Sequence, residues 1–480
     1  MLTMTQNVLQ YCVDEKELLN GGNAMANPYV IIAGCGKVGE KIVHVLNAEN
    51  FSIAVIDWNA QRINDLVNQY DILGIVGNGA SEEALTNADV ESADLFIAVS
   101  PSDEFNLLCC ALVKAMKDIP TIARVRTPVY TESVHLIKKA LGTTMIINPE
   151  LETAMESSRI LSLPAAYDVT LLAGGKAELV KFKMPENNRF SGKSISEIDN
   201  AIPGDFIIAA IHRSNDEVYI PNGDFVLEPR DHVSLIASKK MVRTFFKEMR
   251  IENEKVKNCM IIGGGRSSYF LAKELIKNRI NVKIIEKDLI KCHRLSDKLP
   301  EAIIIHGDGA NEGLLLEEGL TDTQGFVAFT GIDEENVILA LHAQANSNAK
   351  VIFKLDRGSF KQTLKDLHAG TTLSPRDITT EAIVAYARAM KSASGSKIET
   401  LYHMYDERVE VLEFSIDQET RVTNIPLKDL PIKDGTVIGF IRRGEQFIVP
   451  KGNDCIMQGD TVLIVTINLQ FSEIDDILKK

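Results

Sequence analysis

The sequence predicts an α/β protein that contains two parallel sheets, each followed by a smaller α+β domain. Three observations predict this class: short aliphatic runs alternate with helical patterns, a glycine-rich loop follows the first run, and the whole arrangement occurs twice. The segment 29–46 recurs as 259–275, and GNGASEEAL at 77–85 recurs as GDGANEGLL at 307–315. Because this repeat is about half of the 480-residue chain, each half is expected to contain the same two domains in the same order.

The first domain of each half is predicted from its strands. Runs of aliphatic and β-branched residues indicate five strands, in the order YVIIA, SIAVID, ILGIVG, DLFIAVS and PTIARVR. Helical patterns such as 38–49 lie between them. Near-continuous apolar strands that alternate with helices are typical of a parallel sheet covered on both faces. The same pattern extends over 258–370, and helices near 149–164 and 375–395 are expected to join each domain to the next.

The second domain of each half has short alternating strands and turn signals such as Pro203-Gly204, but no glycine-rich loop. It predicts a small α+β unit. The predicted division of the chain is an N-terminal extension at 1–27, a first Rossmann-like domain at 28–150, its small partner at 165–250, a second Rossmann-like domain at 257–375 and its partner at 400–480.

Composition excludes several function classes. The formal net charge of −14 argues against a nucleic-acid partner, and no apolar run reaches the length of a membrane span, so we expect no direct insertion into a membrane. Seven cysteines without a C-x-x-C pair indicate reduced thiols in the cytoplasm. The nine histidines show no metal-ligand spacing, and no catalytic constellation is apparent, so neither a metal site nor an enzyme is predicted.

A glycine-rich loop carries the strongest local chemistry. It follows YVIIA, opens a helix, and reads Gly34, Cys35, Gly36, Lys37, Val38 and Gly39. Such a loop permits a tight turn, a close approach to pyrophosphate and close helix–strand packing, while the helix N-terminus offers N–H groups to the anion. Asp57 ends the next strand, 18 residues past the last glycine, where a carboxylate can accept two ribose hydroxyls. The pattern favours NAD(H) or adenosine over a 2′-phosphorylated cofactor.

The second copy of the loop departs from the first. It reads Gly263, Gly264, Gly265, Arg266, Ser267 and Ser268, and Glu286 stands at the carboxylate position. Serine is small enough for close packing, and Arg266 adds a cation beside any phosphate. A working site and a retained scaffold that has lost its ligand both remain open for this copy.

Further crevice residues come from strand ends, where ligands of open α/β sheets bind. They form pairs across the repeat: Asn78 with Asp308, Ser100 with Thr330, and Arg124 with Lys354. A charged residue in an apolar strand is costly unless it is paired, so Arg124 indicates a phosphate partner. Asp103 and Asp333 open helices, and they are predicted either as N-terminal caps or as ligand contacts.

The residues as a whole resemble the regulator-of-potassium-conductance (RCK) family, whose domains are also called KTN domains. The resemblance rests on IIAGCGKVGEKIVHVL, VIDWNAQRINDL, GIVGNGASEEAL, LFIAVSPSDEFNLLCCALVK and ARVRTPVY, and it covers about 29–480 in the family's tandem layout. The phrase A-V-[ST]-x-S-D-E-x-N followed by A-R-x-R is more specific than the glycine loop. The resemblance implies two RCK-N domains, each followed by an RCK-C domain.

The resemblance also implies a function and two binding sites. Members are cytoplasmic, peripheral subunits at the inner face of the plasma membrane, which assemble as a ring, commonly a tetramer, on a transmembrane potassium translocator of the Trk type. They bind NAD(H) and the adenine nucleotides ATP and ADP. The implied first site comprises Gly34 to Gly39, Asp57, Asn78, Ser100, Pro101 and Arg124. The implied second site comprises Gly263 to Ser267, Glu286, Asp308, Thr330 and Lys354.

Two alternatives remain at this stage. The glycine loop and Asp57 alone would also suit an NAD-dependent oxidoreductase, although no catalytic half is apparent in the sequence. A scaffold with vestigial sites would bind no nucleotide.

Overall fold

The computed structural model describes residues 27–163, 165–213, 216–251, 256–356, 369–391, 396–405, 408–444 and 446–479. The predicted N-terminal extension, apart from its last residue, lies outside the described residues. The segment 357–368, in the second predicted Rossmann-like domain, lies outside them as well.

Six parallel strands form the first sheet. They are β1 (Tyr29–Ala33), β2 (Ser52–Asp57), β3 (Leu73–Val76), β4 (Leu95–Ala98), β5 (Thr121–Arg124) and β6 (Met145–Ile147). Their order in the sheet is β3-β2-β1-β4-β5-β6. The chain reverses direction across the sheet between β1 and β4, so the carboxyl ends of these strands border a crevice, which is where open α/β sheets bind ligands.

Seven helices accompany this sheet in the described residues. They are α1 (Lys37–Ala48), α2 (Ala60–Gln69), α3 (Glu82–Asn87), α4 (Asp103–Met116), α5 (Pro128–Glu132), α6 (Val134–Leu141) and α7 (Pro149–Ser162). Helix α7 leaves the sheet and leads to the next domain.

An antiparallel sheet of five strands follows. Its strands are β7 (Ala166–Leu172), β8 (Ala177–Lys183), β9 (Phe206–His212), β10 (Val218–Tyr219) and β11 (His232–Ala237), with helices α8 (Ile195–Ala201) and α9 (Lys239–Glu248). The sheet order is β10-β9-β11-β8-β7.

The second half repeats both sheets. Its parallel sheet contains β12 (Asn258–Ile262), β13 (Asn281–Glu286), β14 (Ile303–His306), β15 (Gly325–Ala328), β16 (Lys350–Lys354) and β17 (Thr371–Leu373), in the order β14-β13-β12-β15-β16-β17. The helices of this half within the described residues are α10 (Arg266–Lys277), α11 (Leu289–Lys298), α12 (Glu312–Glu317), α13 (Asp333–Asn346) and α14 (Pro375–Lys391). Its antiparallel sheet contains β18 (Ser396–Met404), β19 (Val409–Ile416), β20 (Thr436–Arg443), β21 (Gln446–Ile448) and β22 (Asp460–Thr466), in the order β18-β19-β22-β20-β21. The predicted fold class is therefore confirmed in both halves.

The hydrophobic cores cross between the halves. Helix α7 packs against α10, so Leu161 of the first half shares a buried cluster with Phe270 of the second. Helix α14 packs against α1 in the same way, and Ile383 shares a cluster with Ile42. Each linker helix therefore completes the core of the other half's parallel-sheet domain.

The two antiparallel sheets also share a core. Leu179 and Ile236 of the first sheet are buried in one cluster with Val411 and Leu463 of the second. No helix among the described residues is both long and apolar enough to cross a membrane.

Candidate nucleotide crevices

The first glycine loop is held close to the opposite strand end. Gly34 has a φ of +108°, a left-handed conformation that favours glycine, and its N–H donates to the carbonyl of Ile56 at 2.9 Å. A Cβ at position 34 would lie 2.9 Å from the backbone nitrogen of Ser100, and one at position 39 would lie 1.9 Å from the carbonyl oxygen of Gly34. Both glycines are therefore required sterically, the first by the facing loop and the second by the entry of α1.

The N-terminus of α1 is open. Gly36 is the N-cap residue, no side chain caps the helix, and an added Cβ at this position would meet no atom within 4 Å. Lys37, the first helical residue, is exposed, whereas Val38 is partly buried. The first N–H groups of a helix have no partner within it, so this end offers donors and a positive partial charge to a phosphate.

Asp57 ends β2 beside the loop. Its Oδ2 accepts the N–H of Cys35 at 2.7 Å, and its Oδ1 accepts the N–H of Asn59 at 2.9 Å. These bonds fix the carboxylate while leaving it further acceptor capacity for ribose hydroxyls. Burial, and then the charge of Asp57, raises the pKa of the Cys35 thiol to about 12, so this thiol stays neutral and packs as a small buried group.

A buried asparagine that the sequence interpretation missed organises the opposite rim. Asn106 on α4 is fully buried, accepts the N–H of Ser100 at 2.8 Å, and donates to the carbonyls of Ser100 and Arg124 at 3.1 and 2.8 Å. Asn336 repeats this role with Thr330 and Lys354. The signal was present in the sequence, because both asparagines stand in the repeated D-E-x-N phrase.

Arg124 carries the positive charge of the first crevice. Its Nη2 donates to the carbonyl of Ser100 at 3.0 Å, whereas its buried Nε has no hydrogen-bond partner among the described residues. Burial, reinforced by the positive charges of Arg126 and Arg266, lowers the pKa of Arg124 to about 10. The guanidinium is still charged at neutral pH and holds an unused donor, as an anion site requires.

The second half contributes to this crevice. Arg266 opens α10, yet its charge acts on Arg124 and on Glu150, which opens α7. Burial raises the pKa of Glu150 against the opposing charges of Arg126, Arg124 and Arg266, and its Oε1 lies 4.0 Å from Nη1 of Arg126. Packing of α7 on α10 thus places a residue of the second glycine loop beside the first site, which a linear sequence pattern cannot predict.

The cap alternative is wrong for both aspartates that open helices. Ser102, rather than Asp103, caps α4, and Asp103 is the first helical residue. The buried carboxylate of Asp103 accepts the N–H groups of Arg126 and Thr127 at 3.0 and 2.8 Å, so it anchors the loop after β5. Asp333 is likewise not a cap and accepts the N–H of Asp356 at 3.0 Å.

The remaining rim residues sit in matching turns. Asn78 accepts the N–H of Ala80 at 2.9 Å, and Asp308 accepts that of Ala310 at the same distance. Pro101 is exposed, and its carbonyl accepts a hydrogen bond from Nη2 of Arg126.

The second glycine loop repeats the geometry of the first, except that Ser268 stands in place of the third glycine. Gly263 has a φ of +93°, and Glu286 accepts the N–H of Gly264 at 2.7 Å and that of Asp288 at 2.8 Å. Gly265 is the N-cap of α10, again without a side-chain cap, and its Cβ position is open. Ser267 and Ser268 are buried, and the Oγ of Ser268 has no hydrogen-bond partner among the described residues.

The cationic side of the second crevice is different. Lys354 ends β16 and is partly buried, and no hydrogen bond of its ammonium group is found within the described ranges. Burial raises the pKa of the neighbouring Asp356, against the positive charges of Lys354, Arg376 and Lys37. Lys37 belongs to the first glycine loop. The electrostatic environment of each crevice therefore includes a cation from the other half, Arg266 in the first crevice and Lys37 in the second.

Comparisons with known proteins agree with this architecture. The TrkA-N domain family matches residues 30–149 and again 259–375, and the TrkA-C domain family matches 179–250. The Trk system potassium uptake protein TrkA homolog 1 of Methanosarcina mazei is 30% identical over 460 residues, covering 94% of this chain and 99% of that protein. The chain belongs to the TrkA family.

Further relatives and structures extend the similarity of this TrkA-family chain. The Trk system potassium uptake protein TrkA of Vibrio alginolyticus is 28% identical over 446 residues, or 92% of this chain and 96% of that protein. The crystal structure of the GsuK RCK domain has a TM-score of 0.61 at 18% identity, covering 92% of this chain and 93% of that one. The GsuK channel bound to NAD has a TM-score of 0.60 at 17% identity, covering 95% and 79%. The predicted tandem RCK layout is thereby confirmed at the level of fold.

The groups that each crevice of the TrkA-family chain brings together are suited to binding phosphate and hydroxyl groups. Each crevice combines an open helix N-terminus, a fixed carboxylate and a cationic strand end. Among the described residues, no group of three or more histidines, cysteines or carboxylates is arranged to hold a metal ion.

Proposed function

We propose that this protein is a nucleotide-sensing regulatory subunit of a potassium uptake system. It binds NAD(H) and adenine nucleotides in its crevices, and occupancy biases the open state of a transmembrane potassium translocator of the Trk type. One observation carries the proposal: Arg124, a partly buried cation whose buried Nε has no partner among the described residues, stands at the rim of a crevice whose opposite wall is an uncapped helix N-terminus.

The residues of the first crevice have distinct roles in this proposal. The N–H groups of the loop from Gly34 to Val38 bind phosphate oxygens, and Asp57 accepts the ribose hydroxyls. Arg124 neutralises the phosphate charge from the facing strand, while Ser100 borders the same space. Gly39 contributes by packing, because only a residue without a side chain lets α1 approach the loop.

The second crevice is proposed as a further nucleotide site on the same plan. The loop from Gly263 to Ser267 binds phosphate, Glu286 binds ribose, and Lys354 replaces the arginine. Lysine supplies the charge without a planar, two-pronged donor, so we expect weaker phosphate binding here.

Regulation follows from the contacts between halves. The positive charge of Arg266 reaches the first crevice, and that of Lys37 reaches the second. A phosphate bound in either crevice therefore attracts a cation of the opposite half as well as the cation of the half that binds it. A ligand that draws these groups together favours one angle between the halves over another. Its effect is limited to its differential affinity for the two arrangements, typically about 1–3 kcal/mol.

The partner and the setting are proposed from the family. The relatives are named potassium uptake proteins of the Trk system, and a protein of the same fold is a channel bound to NAD. We therefore propose a ring of copies, commonly a tetramer, held at the inner face of the plasma membrane by the translocator. The division of the chain at 28–150, 165–250, 257–375 and 400–480 is part of the same proposal. In the part of the chain that the structure describes, no contact favours an oxidoreductase or a nucleotide-independent scaffold.

The test is calorimetric titration of the full chain with NADH, NAD, ATP and ADP. Asp57→Ala and Arg124→Ala are expected to weaken binding at the first site at least tenfold while the fold, followed by circular dichroism, is unchanged. Asp434→Ala is the matched control, since its carboxylate is 96% exposed in the other half of the chain. Saturable binding that both site variants reduce would support the proposal. Failure of all four nucleotides to bind the unaltered chain would overturn it.

A further inference from the structure

Trp58 is the most unusual exposed residue of the chain. It is the chain's only tryptophan, its side chain is 76% exposed, and it directly follows the carboxylate of Asp57. Large aromatic side chains bury 150–250 Å² when they pack, so leaving one in water forgoes substantial stabilisation. Neither the fold nor the phosphate and ribose contacts described above use this indole.

The backbone around Trp58 is fixed on both sides. Asp57 accepts the N–H of Asn59, and the Asn59 side chain caps α2 by accepting the N–H of Arg62 at 3.2 Å. Trp58 therefore projects from a turn pinned at the end of β2 rather than from a loose loop. An aromatic group held in this way binds a flat ligand with little loss of conformational entropy.

The residue that follows the crevice carboxylate and the residue paired with it are apolar in the first half and basic in the second. Val76 is paired with Asp57 in the register of β2 and β3, and it is 55% exposed. In the second half the residue after Glu286 is Lys287, and the residue paired with Glu286 is His306. Two exposed apolar side chains in the first crevice thus correspond to two basic ones in the second.

We propose that Trp58 is the stacking surface for the adenine base of a nucleotide bound at the first glycine loop, and that the second crevice, with Lys287 at the aligned position, lacks this aromatic surface. This inference rests on the proposed function, because it assumes that phosphate binds at the loop and ribose at Asp57. The base is attached to the ribose, so it must lie within a few ångströms of Asp57, where Trp58 and Val76 provide the exposed apolar surface. The first site is therefore selective for a purine, and the second discriminates less between bases.

The first experiment compares ADP with UDP, which carry the same phosphates and ribose on different bases. Binding to the full chain is followed by calorimetry and by the emission of Trp58, which reports on the first crevice alone. ADP is expected to quench the emission and to bind more tightly than UDP. Trp58→Ala should weaken ADP binding about 5- to 50-fold at the first site, and Trp58→Phe should weaken it less, as expected for the loss of one base–aromatic stack. Met457→Ala, an exposed apolar residue of the second half, is the matched control and should bind as the unaltered chain does.

The second experiment moves the indole. In a Trp58→Phe background, Lys287→Trp places the single tryptophan in the second crevice, where ADP should now quench its emission and bind more tightly than it does with Lys287. Asp57-dependent ADP binding that Trp58→Ala leaves unchanged would overturn this inference and leave the proposed function standing. Emission that responds to protein concentration but not to ADP would also overturn it, because the indole would then belong to a contact between copies. No ADP binding by the unaltered chain would overturn both proposals.

Discussion

The two crevices share one scaffold but exchange the signs of one pair of charges, at the loop after the fifth strand and the start of the linker helix. Arg126, after the fifth strand of the first sheet, faces Glu150 at the start of its linker helix, whereas the aligned residues in the second half are Asp356 and Arg376. Arg376 donates a hydrogen bond to the carbonyl of Asp356, so the strand-end loop and the linker helix remain in contact. The fold fixes where these side chains meet, and the sequence of each half decides which charge a ligand encounters there.

The linker helices differ in the same way. Helix α14 is joined to α1 by ion pairs, Lys41 with Asp377 and the buried Arg388 with Glu49. Helix α7 meets α10 with small buried residues such as Ser157, whose hydroxyl donates to a carbonyl of its own helix. The first interface therefore depends on a few charged groups, and the second depends on close packing.

The largest expected effect removes one of those charged groups. Arg388→Met leaves the carboxylates of Glu49 and Glu410 without the guanidinium that binds both, and uncompensated buried charges typically cost about 3–5 kcal/mol. The aligned change in α7, Ser162→Ala, removes only a hydrogen bond to its own helix and should cost less than about 1 kcal/mol. The free energy of unfolding from urea titrations measures both. Equal losses would contradict the difference between the two interfaces.

The next comparison concerns the third position of each glycine loop. Gly39→Ala forces the Cβ against the carbonyl of Gly34, so we expect a loss of about 3 kcal/mol and no nucleotide binding at the first site. Ser268→Ala, at the aligned position, deletes a buried hydroxyl that has no partner in the described structure, and should be neutral or slightly stabilising. Urea titrations and calorimetry would reveal the contrast. A tolerated alanine at position 39 would show that α1 can withdraw from the loop.

Residue patterns carried the prediction of fold much further than the prediction of sites. Strand periodicity, the glycine loops and the 230-residue repeat predicted both parallel sheets, and they placed Asp57 at the end of the second strand, where the structure has it. They could not predict that Arg266 acts on the opposite crevice, because this depends on how α7 packs on α10. The buried role of Asp103 was also out of reach, since an aspartate at a helix start looks like a cap until its partners are known.

The linker helices also bring two enclosed acids together, which gives a pH dependence. Burial raises the pKa of Glu381 on α14 to about 7 and that of Glu156 on α7 to about 8, and the negative charges of Asp168 and Glu381 raise the pKa of Glu156 further. The folded state then holds a proton that the unfolded chain releases near pH 4.5, so stability is highest below that pH and falls as pH rises through neutrality. The hydrogen bond between His403 and Glu410, with the charge of Glu381, raises the pKa of His403 despite its burial, and this acts in the same direction.

Glu381→Gln removes one of these titrating groups. We expect the fall in the free energy of unfolding between pH 4.5 and 8 to shrink by about 2 kcal/mol, less than the full shift implies because the side chain is only partly buried. The exposed Glu301→Gln is the control and should leave the pH profile unchanged. Urea titrations at a series of pH values measure both, and parallel profiles for Glu381→Gln and the unaltered chain would contradict the assignment.

The smallest expected effect comes from exchanging the cationic residues of the two crevices, Arg124 and Lys354. Arg124→Lys keeps the positive charge but loses the planar guanidinium, in which Nη2 binds the carbonyl of Ser100 and Nε remains available as a donor. We therefore expect the affinity for ADP at the first site to fall about tenfold, or about 1.4 kcal/mol. Lys354→Arg should strengthen the second site about two- to fivefold, measured by calorimetry in an Asp57→Ala background that silences the first. If arginine gains nothing at position 354, the weakness of the second crevice must lie elsewhere, and the carboxylate of Asp356 beside Lys354 is then the group that competes with a phosphate for its charge.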